Sequence, residues 1–423
     1  MRTIRVARIV LAICLLGVDS AIVAQGGQRE HWVGTWATAV VGRPQGAGRG
    51  TAQVNFNNQT LRQIVHVSLG GDRIRVVLSN AFGTAPLPVG AASIALREKG
   101  ASIVAASKRT LTFNGGGSTV VPAGAIMVSD PVSLTVPPLA DLAIDIFLPT
   151  DTAVSSSPLT THDTGLQTNY VSTSGNHVGE TDFPVGAMIQ SWFFLSAVDA
   201  AAPSQAGAVI TFGDSLTDGT RSTPDTNNRW PDHLARRLLM QAITSRTPMM
   251  GVLNEAIAGN RVLLDSGVRG QSALARFDRD VLAQSGATHI ILLEGINDLG
   301  VNLDGETVPS VANLIAGHRQ LIERAHAHGL KVIGATMMPF EGTSINAVPG
   351  YYSAEKDTRR QAFNEWVRTS KAYDGVVDFD RVVRDPEHTI RVLTLYKSAD
   401  NLHLNDAGYQ TLANAIDLRM LAK

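Results

Sequence analysis

Short apolar runs alternate with helical patterns throughout the second half of the chain, and this constrains the fold more than any other feature. The runs are Val209 to Phe212, Val252 to Ala256, His289 to Leu293, Val332 to Thr336 and Val376 to Phe379. Strands that are apolar nearly throughout need cover on both faces, as in a parallel sheet. Between them, Pro231 to Gln241, Pro309 to His328 and Ala354 to Ala372 read as helices. In the second of these, Leu314, Ile315, Leu321, Ile322 and Ala325 recur at helical spacing on one face. His318 falls on that face and reads as a core histidine rather than a ligand. Strands and helices in this alternation make an α/β domain around a parallel sheet.

The first half follows another grammar. From about His31 to Ala200, short alternating runs are broken by Gly, Pro, Asn and Ser. Ile64 to Leu69 is followed by Gly70-Gly71-Asp72 and then by Arg73 to Leu78, which alternates with a period of two. The pair reads as a β-hairpin with glycines in the turn. Similar runs lie at Ala92 to Leu96, Arg109 to Phe113, Val132 to Val136, Ala143 to Phe147 and Ser191 to Leu195. No long amphipathic helix interrupts them, so residues 30–200 are expected to form a β-rich, sandwich-like domain. Ala200 to Gly207 is the candidate linker, and the α/β domain is expected over residues 206–423. At 423 residues the chain is long enough for two domains.

The N-terminus reads as a leader. Arg2, Arg5 and Arg8 precede the apolar stretch Ile9 to Gly17, and small residues lead on to Ala24. This is the layout of a secretory signal peptide over residues 1–24. The apolar run is too short to span a bilayer. The mature chain is therefore expected to be secreted or periplasmic, without a membrane span. The only cysteine, Cys14, lies inside the leader. The mature chain would have no disulfide, no thiolate nucleophile and no Cys-ligated metal. A formal net charge of −1 gives no electrostatic case for nucleic acid or a membrane surface.

Open parallel sheets bind ligands beyond the carboxyl ends of their strands. The first strand ends in Gly213-Asp214-Ser215, the second in Ile257-Ala258-Gly259, and the third in Glu294-Gly295-Ile296-Asn297-Asp298. Asp400-Asn401-Leu402-His403 precedes a last helix from about Asn405. Together these parts suit a hydrolase. Serine needs an adjacent base to act as a nucleophile, and His403 can accept its proton near neutral pH. Asp400, three residues earlier, can orient the imidazole. The backbone N–H groups of Ser215 and Gly259 and the side-chain amide of Asn297 can receive the oxyanion of a tetrahedral intermediate.

Each residue also has a plainer reading. Ser215 and Gly259 could be turn residues, and Asn297 a strand-end cap. Asp406 competes with Asp400 but falls at the start of the last helix. Asp214 and Asp298 are assigned to local backbone bonding, and Asp218 has no assigned role. Arg261 and Trp230 shape either the pocket or the core.

Gly213-Asp214-Ser215-Leu216, Gly259, Gly295-Ile296-Asn297-Asp298 and Asp400-Asn401-Leu402-His403 resemble the four blocks of the SGNH (GDSL) hydrolases, in the family's order. The resemblance runs from about Gly207 to the C-terminus. It implies a flavodoxin-like three-layer α/β/α domain and an esterase-type mechanism with Ser215, His403 and Asp400. The stretches Asp225 to Pro231 and Ala273 to Asp278, with the β-rich first half, are similar to the exported two-domain branch that includes the XynE esterase. That branch implies carbohydrate deacetylation.

Other chemistries lack their motifs. There is no G-x-S-x-G, P-loop, dinucleotide-binding glycine fingerprint or H-E-x-x-H. His326 and His328 are two apart on a helix and do not share a face. No cofactor or metal is expected. Three functions stay open. The first is a secreted serine esterase taking short acyl, chiefly acetyl, groups from a small-molecule or polysaccharide ester. The second is a lysophospholipase or broad arylesterase. The third is a catalytically idle glycan-binding protein. The β-rich half either binds glycan or braces the catalytic half, and its loop Thr161 to Gly165 is placed to reach the active site.

Overall fold

The computed structural model describes residues 30–43, 55–155, 158–300, 308–345 and 348–422. The expected leader, with Cys14, lies outside the described residues. His31–Lys423 form one compact unit.

The first half is built mainly from antiparallel strands. Its long strands are β1 (Trp32–Ala37), β2 (Gln59–His66), β3 (Gly71–Ser79), β4 (Ala91–Lys99), β5 (Asp141–Leu148), β6 (Asn169–Ser174) and β7 (Leu195–Ala201). One sheet runs β1–β7–β3, and another runs β6–β2–β5–β4. Leu61 and Val65 of β2, Ile144 and Ile146 of β5, and Ile74, Val76 and Leu78 of β3 enter one hydrophobic cluster. Both sheets thus bury a face in the same core.

The hairpin expected across Gly70-Gly71 does not form. β2 pairs with β5 and β6, while β3 pairs with β7. The chain crosses from one sheet to the other at this point. Both segments carry alternating apolar residues, and placing them in different sheets lets those residues meet across a core rather than lie side by side on one surface. A Cβ on Gly70 would stand 2.3 Å from the Val136 carbonyl oxygen, so the crossing has no room for a side chain. Two other expected runs are shorter or broken. Only Arg109–Thr110 of the Arg109 to Phe113 run is a strand, and Phe194, at φ 57°, separates Trp192–Phe193 from β7.

The second half holds five parallel strands: β8 (Gly207–Gly213), β9 (Met250–Ala256), β10 (Ala287–Leu293), β11 (Lys331–Ala335) and β12 (Gly375–Val377). Their order is β9–β8–β10–β11–β12, the doubly wound order that reverses direction beside the first strand. Every residue of β8 is buried, as its apolar sequence requires. The main helices are α1 (Ser215–Asp218), α2 (Trp230–Ser245), α3 (Ile296–Gly300), α4 (Val311–Ala327), α5 (Ala354–Thr369) and α6 (Asp406–Ala415). Capping residues set the starts of several. Ser310, Ser353 and Asn405 each accept a backbone N–H in the first turn of α4, α5 and α6. α2 packs on α6, and α4 on α5. Among the described residues, no helix is long and apolar enough to cross a membrane.

The expected linker is a tight joint. Val33, Ala37, Leu69 and Ala197 from the first half share a hydrophobic cluster with Val209, Leu253 and Leu292 of the parallel sheet. Backbone bonds reinforce the joint. Gly34 N–H donates to the Ser285 carbonyl at 2.8 Å, and Val252 N–H to Ser68 Oγ at 2.9 Å.

Candidate active site

Three adjacent strand ends supply the floor of the site. β8 ends at Gly213, and Asp214 then caps α1 by accepting the Leu216 N–H at 2.9 Å. Ser215 is therefore the first residue of a short helix, with its backbone N–H among the groups a helix leaves unbonded at its start. Gly259 follows the end of β9, and Asn297 lies in α3 just beyond β10. The sheet order places the end of β8 between the other two.

Ser215, His403 and Asp400 are joined in a chain of hydrogen bonds. Ser215 Oγ and His403 Nε2 are 2.8 Å apart, and His403 Nδ1 lies 2.8 Å from Asp400 Oδ2. Asp400 Oδ1 accepts from Ser398 Oγ at 2.8 Å and from the N–H groups of Leu402 and His403 at 3.1 and 2.9 Å. Arg221 Nε donates to Oδ2 at 3.1 Å. Burial works against ionising Asp400. The bond and charge of His403, with the further donors, outweigh it and hold the carboxyl well below the usual carboxylate range. An ionised Asp400 fixes the proton of a neutral His403 on Nδ1, which leaves Nε2 as an acceptor facing Ser215 Oγ. Such a relay can draw a proton from a serine hydroxyl.

Candidate hydrogen-bond donors face the same space. Tyr351 Oη donates to Asn297 Oδ1 at 2.9 Å, which orients the amide. Burial raises the Tyr351 phenol well above its ordinary range, so it remains a donor. Asn297 Nδ2 is then a buried donor with no partner among the described residues. Leaving such a group unpaired costs about 1–3 kcal/mol unless a ligand meets it. The backbone N–H groups of Ser215 and Gly259 make no hydrogen bond among the described residues. Gly259 sits at φ 83°, in the left-handed region, and a Cβ there would stand 2.7 Å from Arg269 Cδ. Asp298 ties the two donor loops together by accepting the Val262 and Leu263 N–H groups at 2.8 and 3.1 Å.

Ser215, Gly259, Asn297, Asp400 and His403 all line one cavity of about 710 Å³. Thr164, Leu166 and Gln190 from the first half line it too, so the loop after Thr161 does reach the site. Asp218, for which the sequence offered no role, has its Oδ1 3.2 Å from His162 Nε2, and His162 Nδ1 lies 2.7 Å from the Ala39 carbonyl. Burial would lower the His162 pKa, but the charge and hydrogen bond of Asp218 prevail and raise it. The pair fastens the nucleophile helix to the β-rich half.

The remaining candidates fall elsewhere. Asp406 accepts from Thr223 N–H and Asn228 Nδ2 at 2.8 and 3.0 Å, and does not meet His403. Trp230 is buried in the core, edge-on to Phe379. Arg261 is buried and donates to the Asp265 carbonyl at 2.9 Å. His318 is a core residue whose Nδ1 lies 2.8 Å from Tyr373 Oη, and burial lowers its pKa to about 3. Sequence reasoning missed Tyr351 and Arg221. Neither stands in a recognisable block, and each reaches the site only through the tertiary fold.

Residues 211–411 match the model of the GDSL-like lipase/acylhydrolase family. No curated protein matches the chain in sequence. Several solved structures resemble it over about half its length. An aryl esterase from M. smegmatis is 14% identical, with 49% of this chain and 95% of that one covered and a TM-score of 0.38. The carbohydrate acetylesterase Est24 from Sinorhizobium meliloti is 16% identical, with 49% and 95% covered and a TM-score of 0.36. The acetyl xylan esterase AlAXEase is 22% identical, with 49% and 96% covered and a TM-score of 0.37.

Proposed function

We propose that the chain, a carboxylic ester hydrolase whose residues 211–411 match the model of the GDSL-like lipase/acylhydrolase family, is an exported serine esterase removing short acyl groups, chiefly acetyl, from carbohydrate. One observation carries this reading. The Ser215–His403–Asp400 relay, with both contacts at 2.8 Å, opens on the same cavity as the unpartnered Asn297 Nδ2.

In this reading Ser215 Oγ attacks the ester carbonyl as its proton passes to His403 Nε2. Asp400 stays ionised and stabilises the imidazolium. The negative charge that develops on the carbonyl oxygen meets Ser215 N–H, Gly259 N–H and Asn297 Nδ2. One such donor is worth about 3 kcal/mol of transition-state stabilisation. When the tetrahedral intermediate collapses, the carbon–alkoxy bond breaks and His403 gives its proton to the departing alcohol. Water then attacks the acyl-serine by the same route, releasing the acid and restoring Ser215.

The cavity wall supports a polar alcohol. Thr164, Gln190, Thr220, Ser222 and Ser344 offer it hydrogen-bonding groups, set among Leu166, Pro224, Ile345, Val348 and Leu402. The leader expected over residues 1–24 supports export. We infer an XynE-like arrangement with a β sandwich ahead of the hydrolase, and we read that half as a brace because its Val33, Ala37, Leu69 and Ala197 pack into the core of the parallel sheet.

Acetate release from acetylated xylan, run beside p-nitrophenyl esters of increasing acyl length with Ser215→Ala as control, tests the proposal. Acetate release that vanishes in the variant is the expected result. Turnover of long-chain esters alone would replace it with a lipid or aryl reading. No turnover of any ester would leave a binding protein.

A further inference from the structure

The charged groups lining the catalytic cavity are unequal in sign. Arg221 and Arg269 are its arginines, and Asp400 is its one carboxylate among the described residues. Asp400 is already engaged by His403, Ser398 and two backbone N–H groups. Arg221 also pairs with Asp400, through Nε alone, which leaves the rest of its guanidinium facing the cavity.

Arg221 is held there against its own backbone preference. Its φ is 77°, and Asp225 and Asn227 in the same loop stand at 63° and 52°. The β-rich half holds this loop in place. Asp225 accepts Thr168 N–H and Thr168 Oγ1, both at 2.6 Å, and Gln167 Nε2 at 2.8 Å. Arg229 donates to the Gly165 carbonyl and lies over the Trp192 ring. Strained backbone that its surroundings over-determine marks a conformation put to use.

What this conformation delivers is a guanidinium beside the relay. Arg221 Nε donates to Asp400 Oδ2, and the side chain is 61% exposed. Its Nη groups donate to no acceptor among the described residues. A guanidinium with its Nη edge open to a cavity suits a carboxylate, which it can hold through two parallel bonds. Its place also fixes which part of the ester it meets. His403 must protonate the departing alcohol, so the alcohol lies on the His403–Asp400 side, where Arg221 stands. Arg269 lies on the Gly259 side of the cavity, its Cδ filling the space a Cβ of Gly259 would need.

We propose that Arg221 selects esters whose alcohol carries a carboxylate, so that the natural substrate is an O-acylated acidic sugar such as a uronic-acid unit of a polysaccharide. This deepens the esterase reading above and rests on it. The anion is recognised and not consumed; the bonds made and broken are those already described.

The test compares 4-acetoxybenzoate with its uncharged methyl ester, for the wild type, Arg221→Gln and Arg221→Lys. The quantity read is the ratio of kcat/KM for the charged over the neutral ester. The wild type should favour the charged ester, and Arg221→Gln should lower the ratio about tenfold, mainly through KM. Arg221→Lys should keep part of the preference, and added salt should erode it because the site is open to solvent. Circular dichroism of each variant checks that the fold is retained. A ratio unchanged in Arg221→Gln overturns the proposal, even if both rates fall, and makes Arg221 a positioning residue for Asp400. Wild-type turnover of the neutral ester without preference for the charged one overturns this inference alone. Turnover of neither ester overturns the esterase reading as well.

Discussion

Asn297 and Tyr351 separate donating a hydrogen bond from aiming it. Asn297 Nδ2 is the donor, and Tyr351 Oη holds the other end of the amide. Asn297→Ala should lower kcat about 10²–10³-fold with little change in KM, because the lost interaction matters chiefly in the transition state. Tyr351→Phe should lower kcat less, on the order of tenfold, since the donor remains but can rotate. Steady-state kinetics on one acetyl ester distinguish the two; a Tyr351→Phe variant with unchanged kcat would remove that residue from the account. The acid side of the pH profile follows from the relay. A relay that works as a general base loses activity in acid. Asp400, held well below the usual carboxylate range, stays ionised throughout and should add no proton to that acid limb. Loss of activity with a midpoint that moves in Asp400→Asn would be expected, and an acid limb unchanged in that variant would remove Asp400 from the relay. Ser215, Gly259, Asn297, Asp400 and His403 were readable in the sequence because each stands in a short block at a strand end or before a helix. Tyr351 and Arg221 were not, because their contacts span 54 and 179 positions of chain.

The parallel strands and their helices were legible because burial on both faces leaves a continuous apolar signature. The pairing of β2 and β3 was not. An alternating strand announces that one face is buried but not which sheet it joins. The joint between halves was also hidden, since one close approach in it runs between two glycines. A Cβ on Gly251 of β9 would stand 2.2 Å from the Gly34 carbonyl oxygen of β1. Backbone cannot move aside as a side chain can. Gly251→Val should therefore destabilise the protein by about 1–3 kcal/mol, the usual range for overpacking, measured by urea denaturation. It should also impair catalysis, because the loop bearing Arg221 is held by Thr168 and Gln167 of the first half. Unfolding in two separate transitions, with only the first shifted, would contradict a brace packed into the core of the parallel sheet.

At the scale of the whole molecule, buried carboxyls beneath the site make stability depend on pH. Glu255 and Glu294 have side-chain oxygens with no hydrogen-bond partner among the described residues, and the buried Arg276 is their nearby cation. Burial raises both well above the usual carboxylate range. Burial also raises Asp214 to about 7, against the Leu216 N–H bond, and Asp298 to about 6. A carboxyl whose folded pKa is raised contributes stability that is full below its unfolded pKa and is lost as pH rises through the folded value. Asp378 and Asp406 work in the opposite sense. Burial opposes their ionisation, but hydrogen bonds to Arg368 and to Thr223 lower their pKa values, so their contribution is lost in acid. The thermal midpoint should therefore be highest in mildly acid buffer and fall between about pH 5 and pH 8 as Asp298 and Asp214 ionise. Calorimetry across that range checks the direction, and a midpoint rising towards pH 8 would contradict it.

The proposed esterase depends above all on Ser215 as the nucleophile of a Ser–His–Asp relay. Its most direct test is covalent capture with diethyl p-nitrophenyl phosphate, in which a serine Oγ–P bond forms as p-nitrophenolate leaves. Mass spectrometry of the intact and digested protein should find one diethylphosphoryl group, located on Ser215. Labelling should be lost in Ser215→Ala and strongly slowed in His403→Ala. A label on any other residue, or ester turnover that persists in Ser215→Ala, would contradict the account.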